Sequence, residues 1–168
     1  MYKNLSDDLS IAIKTLYSKL SVQIKNIAID NESKDYNACT FELNKINILY
    51  REAKITPTKI GLFVTIWKRN TLGITVPFSI EDNIDFVVVS CRNENYFGQF
   101  VFPKAILADK KIFTKNNMDG KRGIRVYPPW SITENKQAKQ TQAWQLEYFL
   151  DMQATINIDK AKKLYAIK

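Results

Sequence analysis

The chain has 168 residues, of which 45% are hydrophobic and 25% are charged. This composition predicts one globular domain over residues 1–168 and excludes wholesale disorder. Lysine and arginine number 25 against 17 acidic residues, which gives a net charge of +8. Histidine is absent, and its absence excludes Ser-His-Asp and Cys-His nucleophile systems and histidine-ligated zinc.

Signals for secretion, membrane insertion and nucleotide binding are missing from the sequence. No apolar run approaches the roughly 20 residues that span a bilayer. The acidic start, with Asp7 and Asp8, is unlike a signal peptide. The two cysteines, Cys39 and Cys91, are far apart and form no CxxC pattern, so we expect them in the core. We therefore expect a cytoplasmic protein with no membrane contact.

The first half of the chain is predicted to form a helix followed by strands. Apolar residues recur at helical spacing over residues 6–20, and Ser6 or Asp7 is a suitable N-cap. Asn44 and Lys45 predict a tight hairpin turn. The strands are predicted at residues 22–29, 36–43, 46–55 and 59–69.

The second half adds buried strands and a second long helix. A near-continuous apolar run over residues 85–91 predicts a central strand. Ser131 and Glu134 fit a capping box that opens a helix towards Leu150. Further strands are predicted at residues 97–102 and 121–127, and short helices at 104–107 and 159–168. This order predicts a mixed α/β fold in which helices flank one central mixed sheet.

One cluster of charged residues is predicted in the first hairpin. Glu52 and Lys54 are two residues apart on a strand, so their side chains point to the same face, roughly 7 Å apart. If the turn is at residues 44–45, Asn37 pairs with Glu52 and Asp35 pairs with Lys54. Asp35 is then the third charged residue on that face.

This triplet supports two interpretations. Asp35, Glu52 and Lys54 resemble the active site of the PD-(D/E)XK nucleases, in which two carboxylates hold Mg²⁺ or Mn²⁺ and the lysine activates water. Lys34, however, stands where that motif has proline. A solvated strand with a cross-strand ion pair explains the same residues and is the more common use of this pattern. No cofactor is expected outside the nuclease interpretation.

A second set of residues combines cations with aromatic rings. Nucleic acids bind such surfaces because cations neutralise phosphates and bases stack on rings. For any single ring, packing in the core is the more common role, whereas the surplus charge as a whole favours a binding surface. The candidate phosphate contacts are Lys54, Lys59, Lys68, Arg69, Arg92, Lys121, Arg122 and Arg125, and the candidate stacking residues are Trp67, Tyr96 and Tyr127.

Several long stretches of the sequence resemble the MepB family. The resemblance covers residues 34–152 and leaves out the first helix and the lysine-rich tail. It rests on AKITP at 53–57, IGLFVTIWKRN at 60–70, NYFGQFVFPK at 95–104, GKRGIRVYPPW at 120–130, QA at 137–138 and WQLEYFL at 144–150.

The resemblance implies a restriction-endonuclease-like PD-(D/E)XK core, a nucleic-acid-binding surface and a mostly degenerate catalytic set. Members of this family are small bacterial proteins, encoded in some genomes beside a multidrug efflux pump and its repressor. We therefore expect binding of single-stranded DNA or RNA without strict sequence preference. The alternatives are a Mg²⁺- or Mn²⁺-dependent nuclease that uses Asp35, Glu52 and Lys54, and an interaction protein in efflux regulation.

Overall fold

The computed structural model describes residues 4–168 of the chain. Its strands are, in chain order, β1 (Ile24–Ile29), β2 (Cys39–Leu43), β3 (Ile46–Glu52), β4 (Lys54–Ile55), β5 (Leu62–Thr65), β6 (Trp67–Arg69), β7 (Thr75–Pro77), β8 (Phe86–Arg92), β9 (Phe97–Pro103), β10 (Gly123–Val126) and β11 (Phe149–Asp151). Its helices are α1 (Asp7–Ala12), α2 (Lys104–Asp109), α3 (Lys136–Leu146) and α4 (Ile158–Leu164), and a π-helical segment, Ile13–Tyr17, extends α1.

A central sheet is formed by six strands of the described chain, in the order β1-β2-β3-β8-β9-β11. Neighbouring strands are antiparallel except for β3 and β8, which are parallel. Parallel neighbours cannot be joined by a tight turn, so a long connection must cross over between them. This crossover, residues 53–85, contains β4 to β7. The predicted mixed α/β class, with helices and a central mixed sheet, is confirmed.

The residues of the central sheet belong to two apolar clusters. In one cluster, Leu9 of α1 and Ala161 of α4 are buried with residues of β2, β3 and β8. In the other, Leu62 and Val64 of β5 and Ile124 of β10 are buried with residues of β8 and β9. Burying a Val or Leu side chain contributes about 1.5–3 kcal/mol, so these contacts hold the outer elements on the sheet.

The crossover builds a smaller sheet, in the order β10-β5-β4. Arg125 of β10 lies opposite Phe63 of β5, which lies opposite Lys54 of β4. Because Leu62 and Val64 on either side of Phe63 point into the core, this row of three side chains lies on the outer face. A cation therefore lies on each side of Phe63.

Several predictions of local structure are confirmed. Ser6 caps α1, since its hydroxyl accepts a hydrogen bond from the Leu9 amide at 3.3 Å. Asn44 and Lys45 form the hairpin turn, with φ angles of 48° and 75°. Both angles lie in the left-handed region that a type I′ turn requires. No helix within residues 4–168 has the length and apolar character needed to cross a bilayer.

Three of the predicted strands are longer than the strands in the structure. The strand predicted at 36–43 begins at Cys39, because Lys34–Tyr36 forms a 3₁₀ turn. The strand predicted at 46–55 leaves the central sheet after Glu52, and Lys54–Ile55 pairs with β5 instead. The strand predicted at 59–69 is interrupted at Ile66, whose amide donates to the Arg122 carbonyl at 2.9 Å.

The predicted capping box at residues 131–134 is wrong. Helix α3 begins after Asn135, whose side chain accepts from the Ala138 amide at 2.8 Å. Ser131 instead lies in a loop, and its carbonyl accepts from Gln142 Nε2 at 2.9 Å. The helix ends at Leu146 rather than at Leu150, which is part of the edge strand β11.

Burial of the two cysteines predicts their reactivity. Cys39 is 2% exposed and Cys91 is fully buried. Burial raises the pKa of the Cys39 thiol to about 12 and also raises the pKa of the Cys91 thiol. Because the thiolate is the reactive form, we expect neither residue to react with a thiol reagent at mildly alkaline pH. Both should react after unfolding in guanidinium chloride, and rapid labelling of the native protein would contradict the core placement.

Candidate nucleic-acid interface

The Glu52 carboxylate, at the end of β3, is surrounded by neutral hydrogen-bond donors. The Ser6 hydroxyl and the Tyr50 hydroxyl both donate to Oε1, the latter at 3.0 Å. Asn37 Nδ2 donates to Oε2 at 2.6 Å. Both carboxylate oxygens are therefore engaged by protein donors.

The three members of the predicted catalytic triplet lie in three different elements. Asn37 meets Glu52 as the register predicts, but Asp35 lies in the 3₁₀ turn and Lys54 lies in β4, in the other sheet. The Lys54 ammonium lies 5.3 Å from the centre of the Tyr36 ring. Among residues 4–168, no hydrogen bond or ion pair joins Asp35 to Glu52 or to Lys54.

The surroundings of Glu52 do not fit a divalent metal ion. Magnesium and manganese prefer carboxylate, carbonyl and water oxygens. The neighbours of Glu52 are a hydroxyl pair and the amide of Asn37, which donate to the carboxylate instead of sharing a cation with it. Within the described part of the chain, no cluster of three Asp, Glu, His or Cys side chains is placed to hold a metal.

A chain of buried hydrogen bonds ends at Glu52. Tyr165 donates to Gln99 Oε1 at 3.3 Å, and Gln99 Nε2 donates to the Ser90 hydroxyl at 3.1 Å. Ser90 lies 2.8 Å from the Tyr50 hydroxyl. Burial, and the nearby Glu52 carboxylate, raise the pKa of Tyr50, so this phenol stays protonated and donates to Glu52. Glu52 is thus the terminal acceptor of a core network.

A different group of predicted residues comes together between β10 and α3. The buried Gln145 side chain of α3 binds the backbone of β10 on both sides of Val126. Its Nε2 donates to the Arg125 carbonyl at 2.9 Å, and its Oε1 accepts from the Tyr127 amide at 2.8 Å. These two bonds fix α3 beside β10 and so position Arg125 and Tyr127.

Arg125 is also fixed by the loop that precedes β5. Its guanidinium donates to Thr56 Oγ1 at 2.6 Å and to the carbonyls of Ile60 and Gly61 at 3.3 and 3.4 Å. Gly61 has a φ of +79°, and a Cβ there would lie 2.6 Å from the Tyr127 ring. Glycine is required at this position because the ring packs directly on its backbone.

Three adjoining cavities meet at Arg125. The one between β10 and α3 has a volume of about 430 Å³. Among the described residues that line the three cavities there is a single carboxylate, that of Glu134. We call this region the basic cleft and define it by Lys59, Lys110, Lys121, Arg125, Tyr127, Gln137, Thr141 and Trp144.

Four of the predicted phosphate contacts form ion pairs instead. They do not line the cavities of the basic cleft, and an exposed ion pair is individually weak. The hydrogen bond from Arg69 lowers the pKa of the Glu32 carboxyl. The pairs are Lys68 with Asp82, Arg69 with Glu32 at 2.6 Å, Arg92 with Asp8 at 2.6 Å, and Arg122 with Asp119 at 3.4 Å.

The three predicted stacking residues have different surroundings. Trp67 is half-buried, with the Arg69 guanidinium 5.3 Å from its ring centre. Tyr127 is half-buried against Gly61. Tyr96 is 44% exposed and stacks on Trp130, with ring centres 5.1 Å apart and an interplanar angle of 9°. Trp130 therefore stacks on the Tyr96 ring, and the part of Tyr96 that stays exposed can contact a further ring.

Sequence reasoning missed four residues of the basic cleft. They lie outside the strand predicted at 121–127, and the packing of α2 and α3 brings them near it. The missed residues are Lys110, Gln137, Thr141 and Trp144.

Comparison with known proteins agrees with the resemblance found in the sequence. The MepB-like family profile matches residues 30–151. The chain is similar to the crystal structure of MepB, with 36% identity and a TM-score of 0.78, over 92% of this chain and 99% of that one. A bacterial homing endonuclease is more weakly similar, with 14% identity and a TM-score of 0.47, over 82% and 85% of the two chains. A search of curated proteins found no match.

The contacts of Glu52 predict a structural role that mutation can measure. Glu52→Ala removes the shared acceptor of Ser6, Asn37 and Tyr50, and hydrogen bonds to charged groups contribute about 1.5–3 kcal/mol each. We expect the free energy of unfolding, measured with urea, to fall by about 2 kcal/mol or more. Glu94→Ala, at an exposed carboxylate, is the matched control. Equal stability of the two variants would contradict this role.

Proposed function

The chain belongs to the MepB-like family, and from this premise we propose that it binds nucleic acid through the basic cleft, with single-stranded DNA or RNA as the preferred partner. The observation that carries the proposal concerns the eight predicted phosphate contacts: the four that form ion pairs lie outside the cleft, whereas three of the other four line it. Within residues 4–168, Lys59, Lys121 and Arg125 have no carboxylate partner, and all three line the cleft.

Phosphate is the ligand that this charge distribution favours. Arg125 is held by its neighbours in a fixed orientation, and Lys121 is exposed in the segment before β10. Lys110 adds a cation, only loosely paired with Asp109 at 3.9 Å. Phosphate contacts of this kind position a strand without reading its sequence, so the proposal includes no strict sequence preference.

The rings near the cleft favour unpaired bases. Bases of a single strand stack on exposed aromatic faces, whereas those of a duplex are already stacked on each other. Tyr127 lines the cleft, and the exposed Tyr96, which stacks on Trp130, is a second ring outside the three cavities. We extend the proposal to Tyr96 and Tyr127 as stacking residues. Trp67 is a less favourable candidate because the Arg69 guanidinium lies over its ring.

The cellular setting is also part of the proposal. We propose a cytoplasmic protein, as expected from its sequence, and the family resemblance supports a link to drug-resistance or efflux operons. The nuclease alternative gains no support from the surroundings of Glu52. Nucleic-acid binding is therefore the function that we put forward.

Salt dependence tests the number of phosphates bound. With about four cations in contact, the slope of log K against log salt for a single strand is about −2.8. Affinity measured by fluorescence anisotropy should then fall about fiftyfold between 50 and 200 mM salt. DNA, RNA and duplex probes of equal length give the preference. Binding that is insensitive to salt, or equally strong for duplex and single strand, would contradict the proposal.

Charge removal inside the cleft tests its location. Lys59→Ala combined with Lys121→Ala should reduce the magnitude of the salt slope by about 1.4, since each lost phosphate contact removes about 0.7. The matched control is Lys160→Ala with Lys163→Ala, in α4, which packs with the other apolar cluster. If the control reduces the slope as much, net charge rather than the cleft controls binding.

A further inference from the structure

The part of the basic cleft between β10 and α3 has free hydrogen-bonding side chains on its α3 side. Gln142 and Gln145 are already committed to loop and strand backbone. By contrast, the side chains of Gln137 and Thr141, which line the cavity, have no hydrogen-bond partner within residues 4–168. Helix α3 therefore carries two kinds of polar side chain. Gln142 and Gln145 are hydrogen-bonded within the fold, whereas Gln137 and Thr141 line the cavity.

The opposite side of the same cavity is cationic. Lys110, Lys121 and Arg125 line it, and none of its described lining residues is acidic. The volume, about 430 Å³, lies within the range of roughly 300–1,000 Å³ that small-molecule sites occupy. Tyr127 supplies aromatic surface, and the Lys110 ammonium lies 5.7 Å from the centre of the Trp144 ring. The ligand that fits has an anionic end, a planar body and a polar edge.

We infer that this cavity holds one unstacked nucleotide, with its phosphate against Lys110, Lys121 and Arg125 and its base edge at Gln137 and Thr141. This inference rests on the proposed function and adds a subsite to it. A base within a pair has its Watson–Crick edge occupied, so only an unpaired base offers that edge to an amide and a hydroxyl. The subsite is thus a physical reason for preferring single strands.

An abasic strand separates base contacts from phosphate contacts. We compare oligothymidylate with an abasic strand of equal length, by fluorescence anisotropy, in the wild-type chain. We expect oligothymidylate to bind about fivefold more tightly or more, which is the lower end of what contacts to one base contribute. Aromatic rings outside the cavity also increase the ratio of the two affinities. A variant is therefore needed to measure the contribution of the cavity.

Gln137→Ala combined with Thr141→Val isolates the subsite. Both positions tolerate the change, since Gln137 is exposed and valine is close in shape to threonine. We expect the variant to bind the abasic strand as the wild type does, and to lose about half or more of the preference for oligothymidylate. Gln140→Ala, on an exposed part of the same helix that does not line the cavity, should keep the full preference.

The outcomes separate this inference from the function on which it rests. An unchanged preference in the double variant would overturn the subsite and leave the proposed function standing. If thymidine monophosphate binds the wild type, but not the double variant, while neither strand binds, the subsite stands with a free nucleotide as its ligand. Failure of both strands and of the mononucleotide to bind the wild type would overturn both proposals.

Discussion

The parallel pairing of β3 with β8 determines where the candidate site lies. Because two parallel neighbours need a crossover, the chain must leave the central sheet at Glu52 and return at Phe86. The crossover forms β4 and β5, and β5 recruits β10 through the register that places Arg125 opposite Phe63. The basic cleft exists because this second sheet is built beside the first.

Because the chain leaves the central sheet after Glu52, Glu52 and Lys54 lie in different sheets. Glu52 is still aligned with Ser90 of β8, and the Ala53 amide still donates to the Ser90 carbonyl at 2.9 Å. One residue later, Lys54 is paired with Phe63 in the other sheet. An uninterrupted strand would place the side chains of Glu52 and Lys54 on one face. The break between β3 and β4 prevents this. The carboxylate that remains is satisfied by the buried network that runs from Tyr165 through Tyr50.

Sequence patterns predicted the features that depend on near neighbours. The turn at residues 44–45, the cap at Ser6 and the central strand near residues 85–91 each follow from local spacing or from residue type. The end of β5 depends instead on a change of partner strand, from β10 to β7, and Asp8 pairs with Arg92 from 84 residues away. For the site, Lys59, Lys121, Arg125 and Tyr127 were predicted, whereas their neighbours on α3 depend on docking that no local pattern encodes.

The docking of α3 connects the fold to the cleft. Gln145 holds the backbone of Arg125 and Tyr127, while Gln137 and Thr141, on the same helix, line the cavity. A buried amide that is fully hydrogen-bonded is stable, but one left without its partners is costly, so α3 has little freedom to shift along β10. The cations on β10 and the polar groups on α3 therefore keep a fixed separation. A cleft of fixed width selects its ligand by size as well as by charge.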